Sequence, residues 1–174
     1  MNAAELELLG ELENELETTP QFGYGSSPVS ESFAEAKWEQ PLGCPSPTRL
    51  TLRGYPRYQN TVASLPAPEQ IKLRLFARAI VGSFRNGCSP VRIIFITGHA
   101  DRDVQRGRDF ENRVSRERAL QLMRALIAFI NNPAIASRIM WKARGAGSSQ
   151  LAAPNPRTEI DQRLNRRVDI LPIS

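Results

Sequence analysis

The chain has few of the residue types on which most catalytic and metal sites depend. His99 is its only histidine, and Cys44 and Cys88 are its only cysteines. A histidine-rich metal site and a mechanism that needs two imidazoles are therefore excluded. The sequence also lacks a Cys-x-x-Cys pair, a Gly-x-Ser-x-Gly turn and a Gly-x-x-x-x-Gly-Lys-Ser/Thr phosphate loop. We expect a protein that is not an enzyme and that uses no cofactor.

Three carboxylates form a candidate cation site. Asp101, Asp103 and Asp109 lie close together in the sequence, but their spacing matches no known cation-binding loop. Three arginines between them would repel a cation. We therefore expect no metal site.

Long apolar runs are also absent. No stretch of eighteen apolar residues occurs, and acidic residues stand near the N-terminus, where a secretory signal carries bases. We expect neither a membrane-spanning segment nor a standard cleaved export signal. Cys44 and Cys88 could form one disulfide or be two unrelated thiols, and the second interpretation is favoured because nothing else suggests a disulfide framework.

Charge is unevenly distributed along the chain. Residues 1 to 17 contain six glutamates and no base. The rest of the chain contains the other twelve acids and all 23 bases, so its net charge is +11. A basic domain attracts anions, and charge alone does not choose among nucleic acid, anionic lipid and cell-wall polymer.

Three regions are predicted. Residues 1–17 form an acidic Leu/Glu segment, which is either a frayed tail or a docking peptide that becomes helical on a partner. Residues 18–47 are rich in Pro, Gly and Ser and are typical of a linker. Residues 48–174 carry regular hydrophobic patterns and form the folded domain.

Strands and helices alternate in that domain. The patterns predict strands at 49–53, 91–97, 138–143 and 167–171, the last one ended by Pro172. They predict a helix introduced by Pro66 and Pro68, a second from a Ser115 N-cap to Asn131, and a short one at 158–164. The strand at 91–97 should lie centrally with both faces covered. The result is an α/β sandwich with helices on one or both faces of the sheet.

Two arginines occupy an unexpected place in this scheme. Arg116 and Arg118 follow the predicted cap Ser115, where the helix dipole disfavours cations by roughly 0.3–1 kcal/mol each. They either pair with nearby acids on the surface, or Arg118 forms an anion site beside free backbone N–H groups.

Four segments together resemble signatures of the OmpA-like family. Residues 96–101 (ITGHAD) resemble its Gly-His-Thr-Asp strand end, and residues 110–119 (FENRVSRERA) its Tyr-Asn-x-x-Leu-Ser-x-x-Arg-Ala helix start. Residues 144–148 (RGAGS) correspond to a Gly-x-Gly-Glu loop, and residues 165–170 (NRRVDI) to the closing Asn-Arg-Arg-Val-Glu-Ile. The resemblance implies a β-α-β-α-β-(α)-β domain with a mixed four-stranded sheet.

The resemblance also implies a site. In that family the matching aspartate and arginine hold the free end of diaminopimelate in the peptidoglycan stem peptide, and they correspond to Asp101 and Arg118. An acceptor carboxylate and a guanidinium suit a zwitterion with one ammonium and one carboxylate. A simple ion pair between the two residues is the alternative.

Three further residues are secondary candidates: Ala100, Glu111 and Arg116. Ala100 stands where the family has threonine, which removes a hydroxyl, and Glu111 stands where asparagine is usual. Glu111 would either repel a ligand carboxylate or contact its ammonium.

The resemblance leads to non-catalytic binding of diaminopimelate-type peptidoglycan in the cell envelope. Residues 1–17 would then dock a protein partner, and export would follow another route, such as a larger export apparatus. Nucleic acid or another anionic polymer is a less favoured ligand, bound through the arginines at 102, 106, 108, 113, 116 and 124. An adaptor on an OmpA-like scaffold without a working pocket is the third possibility.

Overall fold

The computed structural model describes residues 43–174, in which four strands alternate with helices. The strands are β1 Leu50–Arg53, β2 Ile93–Gly98, β3 Met140–Gly145 and β4 Arg167–Ile173. The helices are α1 Ala67–Ser83, α2 Gly107–Ile130, α3 Pro133–Ala136 and α4 Glu159–Asn165, with a 3-10 turn at Val62–Ser64. The predicted α/β order is confirmed, with α3 as an addition. The predictions for residues 1–17, and for residues 18–42 of the linker, lie outside the described residues.

The sheet is mixed and has the strand order β1-β4-β2-β3. The pairs β1–β4 and β4–β2 are antiparallel, and β2–β3 is parallel. The predicted central position of β2 is confirmed, but the prediction that both its faces are covered was wrong. Ile94 and Ile96 are fully buried, whereas Ile93, Phe95 and Thr97 are partly exposed.

The core lies between one face of the sheet and the two long helices, α1 and α2. The sheet supplies Leu52, Ile94, Ile96, Val168 and Ile170, all fully buried. The helices supply apolar residues at three- and four-residue steps, among them Leu73, Phe76, Ile80, Leu122 and Leu126. Of the two arrangements that the sequence left open, the structure has the long helices on one face.

Helix α2 begins at Gly107, so the predicted start at a Ser115 cap was wrong. Asp103 prepares the true start, because its Oδ1 accepts hydrogen bonds from the backbone N–H groups of Gln105 (3.2 Å) and Arg106 (3.1 Å). Gly107 has a φ of +75°, a conformation that favours glycine, and it turns the chain into the helix.

Ser115 lies inside α2 and has another role. Its hydroxyl donates to Asn112 O (2.9 Å) and accepts from Gly147 N (2.9 Å), which ties the helix to the loop after β3. Arg116 and Arg118 are therefore several turns from the helix start. Arg118 therefore does not form the predicted anion site with free N–H groups of the first turn.

The ends of other elements also differ from the predictions. Strand β3 begins two residues later than predicted, after the short helix α3 that Asn132 caps through Ile135 N. Strand β4 continues through Pro172 to Ile173. Its pairing with β1 stops at Ile170, so Pro172 lies where β4 has one neighbour, and a proline is tolerated there.

Cys44 and Cys88 form a disulfide, with their Cα atoms 5.3 Å apart. The favoured interpretation of two unrelated thiols was therefore wrong. The bond joins the segment before β1 to the turn after α1. It closes a loop over a sequence separation of 44 residues, and neither local pattern indicates that contact.

Close packing of α2 against the sheet depends on two glycines. A Cβ at Gly98 would lie 1.9 Å from Ser115 O, and a Cβ at Gly145 would lie 2.6 Å from Arg116 N. The helix backbone thus rests directly on the ends of β2 and β3. No helix within residues 43–174 is long and apolar enough to cross a membrane.

Candidate functional site

A cleft opens where the loops after β1 and β2 meet helix α2 and the end of α4. It has a volume of about 30 Å³, which is room for only a few water-sized groups. The lining residues are Arg57, Tyr58, Ala100, Asp101, Arg102, Asp103, Phe110, Glu111, Val114, Arg118 and Arg166. Four of the five candidate residues line this cleft. The fifth, Arg116, is exposed on α2 and is not part of the lining.

Arg118 is the largest fully buried side chain of the described domain, with 1% of its surface exposed. Its Nε donates to Gln59 O (2.9 Å) and its Nη1 to His99 O (2.8 Å). Its guanidinium carbon lies 5.2 Å from the centroid of the Tyr55 ring. Within residues 43–174, Nη2 makes no hydrogen bond and no carboxylate forms an ion pair with Arg118.

Burial is the main electrostatic influence on this arginine. Desolvation, with a smaller contribution from the positive charge of Arg166, lowers the pKa of Arg118 to about 10, although Tyr55 and Asp101 oppose the shift. The guanidinium therefore stays protonated at neutral pH. Burial also raises the pKa of Tyr55, which stays neutral. The wall of the cleft thus contains a buried cation that forms no ion pair with any carboxylate of residues 43–174.

Asp101 follows β2 and is mostly buried. Its Oδ1 accepts a hydrogen bond from Asn165 Nδ2 (3.1 Å), and its Oδ2 lies 3.9 Å from Arg166 Nη1. The alternative that Asp101 and Arg118 form an ion pair with each other was wrong, because Arg118 bonds to two carbonyls instead. The two side chains line the same cleft without neutralising each other.

Arg166 is a cleft residue that the sequence reasoning missed. It is 2% exposed, and its Nε donates to Tyr55 O (2.8 Å) and its Nη2 to Glu159. Its Nη1 is buried and has no hydrogen-bond partner in the described part of the chain. The closing signature at residues 165–170 contained this arginine, but no local pattern assigned it to a site near Asp101.

Glu111 holds the loops around the cleft. Its Oε1 accepts from Asp103 N (2.6 Å), and its Oε2 accepts from the Ser148 hydroxyl. Each oxygen thus accepts one hydrogen bond within the protein, which fixes the carboxylate beside the cleft; its effect on a ligand stays a prediction. Ala100 is buried and its backbone N–H donates to Gly147 O (2.8 Å).

Aromatic rings and arginines form the mouth of the cleft. Tyr58 meets Phe110 edge to face, with 5.7 Å between centroids, and its hydroxyl donates to Asp103 Oδ2 (3.2 Å). Arg106 lies 4.1 Å from the Tyr58 centroid and 4.8 Å from the Phe110 centroid. Tyr58 has a φ of +62°, uncommon for a residue with a side chain. The fold thus brings an aromatic ring, that of Tyr58, to the arginine-rich loop from a distant segment.

The side chain of the single histidine does not line the cleft, although its backbone carbonyl accepts a hydrogen bond from Arg118. His99 is buried, and its Nε2 lies 3.1 Å from Asp169 Oδ2 on the other side of the sheet. Burial alone would raise the pKa of Asp169, but hydrogen bonds from His99 and Thr51 and the charge of Arg167 outweigh it and lower that pKa. Among residues 43–174, no cluster of three or more His, Cys, Asp or Glu side chains could hold a metal ion.

The sequence matches no model of a protein family. It matches no curated protein significantly. The structure is similar to the peptidoglycan-associated lipoprotein of Burkholderia pseudomallei, with a TM-score of 0.52 and 18% identity over 71% of this chain and 89% of that one. It is also similar to the periplasmic domain of Helicobacter pylori MotB, with a TM-score of 0.51 and 20% identity over 72% of this chain and 73% of that one. At such identities the likeness concerns the fold, and the chain has the OmpA-like fold that its four signatures predicted.

Proposed function

We propose that this protein binds peptidoglycan without catalysis, by binding the free end of diaminopimelate in the stem peptide. The observation that carries the proposal is the cleft that Asp101 and Arg118 share without forming an ion pair. The fold is also that of a lipoprotein described as peptidoglycan-associated.

The state of Arg118 supports an anionic ligand. A buried charge without an opposite charge costs several kcal/mol unless something compensates it. Two carbonyls offset part of this cost, and Nη2 has no partner among the described residues. A ligand carboxylate that reached Nη2 would supply the missing charge and a charge-assisted hydrogen bond.

Asp101 supports a cationic group on the same ligand. Within residues 43–174, Asn165 donates to one of its oxygens, and Arg166 lies 3.9 Å from the other. A carboxylate accepts several hydrogen bonds, so Asp101 retains capacity for an ammonium. Asn165 and Arg166 would hold it in place.

The size and charge of the cleft favour a small zwitterionic end over a sugar or a base. About 30 Å³ admits the tip of a chain only. The far end of diaminopimelate offers one ammonium and one carboxylate at such a tip. Lysine-type stem peptides lack that carboxylate and would leave Arg118 uncompensated, so we propose discrimination against them.

The cell envelope is the proposed place of action, since the ligand is found there. A protein partner of residues 1–17 remains part of the proposal. To test this, residues 1–17 are fused to a reporter and incubated with an envelope extract. If the fusion retains no protein from the extract, that result counts against such a partner.

One observation favours a second candidate function. The arginines at the mouth of the cleft lie beside Tyr58 and Phe110, a combination suited to nucleic acid. However, Arg106 covers both rings, which leaves less aromatic face for a base to stack on. We therefore place anionic-polymer binding second. A scaffold with no working pocket is the remaining outcome.

Sedimentation of the full chain with insoluble peptidoglycan distinguishes these functions. Asp101→Asn and Arg118→Met are compared with matched exposed variants, Asp109→Asn and Arg116→Met, on diaminopimelate-type and lysine-type walls at low and high salt. We expect retention on the first wall type only, lost in the two cleft variants and kept in the two controls.

Two results would contradict the proposal. Salt-sensitive retention on both wall types supports the polymer function, and no retention on either supports the scaffold without a pocket. Circular dichroism of each variant shows whether lost retention reflects lost folding.

A further inference from the structure

The face of the sheet opposite α1 and α2 is one continuous surface. The strand pairing shows which side chains lie on it. Ile93 is paired with Met140 and Ile173, and Phe95 with Lys142 and Leu171. Side chains at paired positions point to the same face. We call this surface the open face. Its other members are Arg49, Thr51, Arg53, Thr97, Arg144, Arg167 and Asp169.

One half of the open face is apolar and exposed. Met140 is 55% exposed, Leu171 47% and Ile173 41%. Ile93 and Phe95 lie between them in the register and are partly exposed. Contiguous exposed aliphatic side chains are typical of an interaction surface.

The other half is strongly basic. It carries five cations and one acid, the cations being Arg49, Arg53, Lys142, Arg144 and Arg167. The acid, Asp169, is already engaged, because Thr51 donates to it (2.7 Å) and both Arg49 (3.2 Å) and the mostly buried Arg167 (3.6 Å) pair with it. The other three cations are exposed and form no ion pair within residues 43–174, so their charge is available to an outside anion.

A groove joins the two halves. It has a volume of about 300 Å³, roughly ten times that of the cleft. Arg49 and Arg144 line it together with Phe95 and Leu171. It shares no lining residue with the cleft, so both could be occupied at once.

We propose that the open face binds an acidic segment of a partner protein in which aliphatic residues alternate with glutamate or aspartate. Charge complementarity to the exposed cations selects the acidic groups, and the groove beside Leu171 and Phe95 binds the aliphatic ones. This surface goes beyond peptidoglycan binding and does not depend on it. With both sites filled, the domain links a partner to the ligand of the cleft.

Two other ligands fit the same observations less well. A nucleic acid or other polyanion would bind the cations, but its charged backbone would then lie against the aliphatic half of the open face. An anionic membrane needs protruding apolar side chains, whereas those of the open face are only about half exposed and flank a recess. A protein segment uses both halves.

Fluorescence anisotropy with the full chain tests the proposal. The probe is a labelled synthetic peptide of alternating Glu and Leu, and the competitors are poly-glutamate, a single-stranded oligonucleotide and phosphatidylglycerol vesicles. Leu171→Ser and Arg144→Ser each remove one half of the proposed contact. Arg116→Ser is the control, because Arg116 is also exposed but lies on α2.

We expect saturable binding of the peptide that weakens at least fivefold in Leu171→Ser and in Arg144→Ser and is unchanged in Arg116→Ser. Poly-glutamate, the oligonucleotide and the vesicles should compete poorly. Equal binding of either polyanion with no effect of Leu171→Ser would overturn the proposal, as would preferential binding to vesicles or no binding of the peptide. Sedimentation with peptidoglycan should be unchanged in both open-face variants, which separates failure here from failure of the cleft.

Discussion

Replacing Gly98 by alanine should strongly destabilise the domain. A Cβ at this position would lie 1.9 Å from Ser115 O, 2.9 Å from Ser115 C and 3.2 Å from Ala119 N. All three atoms belong to the backbone of α2, so no flexible side chain can move aside. Gly98 ends β2 directly before His99, whose carbonyl accepts from Arg118. Any separation of β2 from α2 therefore also disturbs the cleft.

The size of the effect follows from the rigidity of the contact. Overpacking costs about 1–3 kcal/mol where neighbours can adjust, and we expect at least about 3 kcal/mol here because the neighbours are backbone. With an m-value of about 2 kcal/mol/M, the urea midpoint should fall by roughly 1.5 M.

Urea unfolding followed by circular dichroism measures this change. Gly43→Ala is the matched control, because a Cβ there would meet no atom within 4 Å. A Gly98→Ala midpoint within about 0.3 M of the control would refute the reasoning, since 0.3 M corresponds to less than about 1 kcal/mol at that m-value.

Three further predictions concern stability. Breaking the Cys44–Cys88 disulfide, by reduction or by the double serine variant, should cost up to about 4 kcal/mol from loop entropy, measured as a lower urea midpoint. Ser115→Ala should cost about 1–3 kcal/mol, because Gly147 N loses its acceptor, and a midpoint equal to that of the unchanged protein would contradict this. The lowered pKa of Asp169 means that its charge stabilises the fold above the unfolded pKa of about 4 and that this stabilisation is lost as pH falls through the folded pKa. Asp169→Asn should therefore lower the urea midpoint at pH 7 and lower it less as pH falls below about 4, and a pH-independent effect would contradict this.

Hydrophobic periodicity was sufficient for the order of the main elements. The run at Ile93–Gly98 and the pattern of α1 are strong because burial repeats along them. The start of α2 was not predictable in the same way. Ser115 has the residue type of a cap, but its hydroxyl bonds to Gly147 N in a tertiary contact that no local pattern indicates, and Asp103 sets the start.

The candidate site was only partly accessible from the sequence. Asp101 and Arg118 came from matched signatures, and the fold places them on one cleft. Tyr58 and Arg166 reach the same cleft from distant segments, so no spacing rule indicates them. The same holds for the disulfide, which depends on where two loops meet in space.

Titration calorimetry with a soluble muropeptide tests the central claim most directly. The ligand is offered in two forms that differ only in carrying diaminopimelate or lysine. We predict binding of the first form and at least tenfold weaker binding of the second. Asp101→Asn and Arg118→Met should weaken the first by at least about 30-fold, as expected when one partner of a buried charged contact is removed, while Arg116→Met leaves it unchanged. Equal affinity for the two forms, or full affinity in Arg118→Met, would contradict the account.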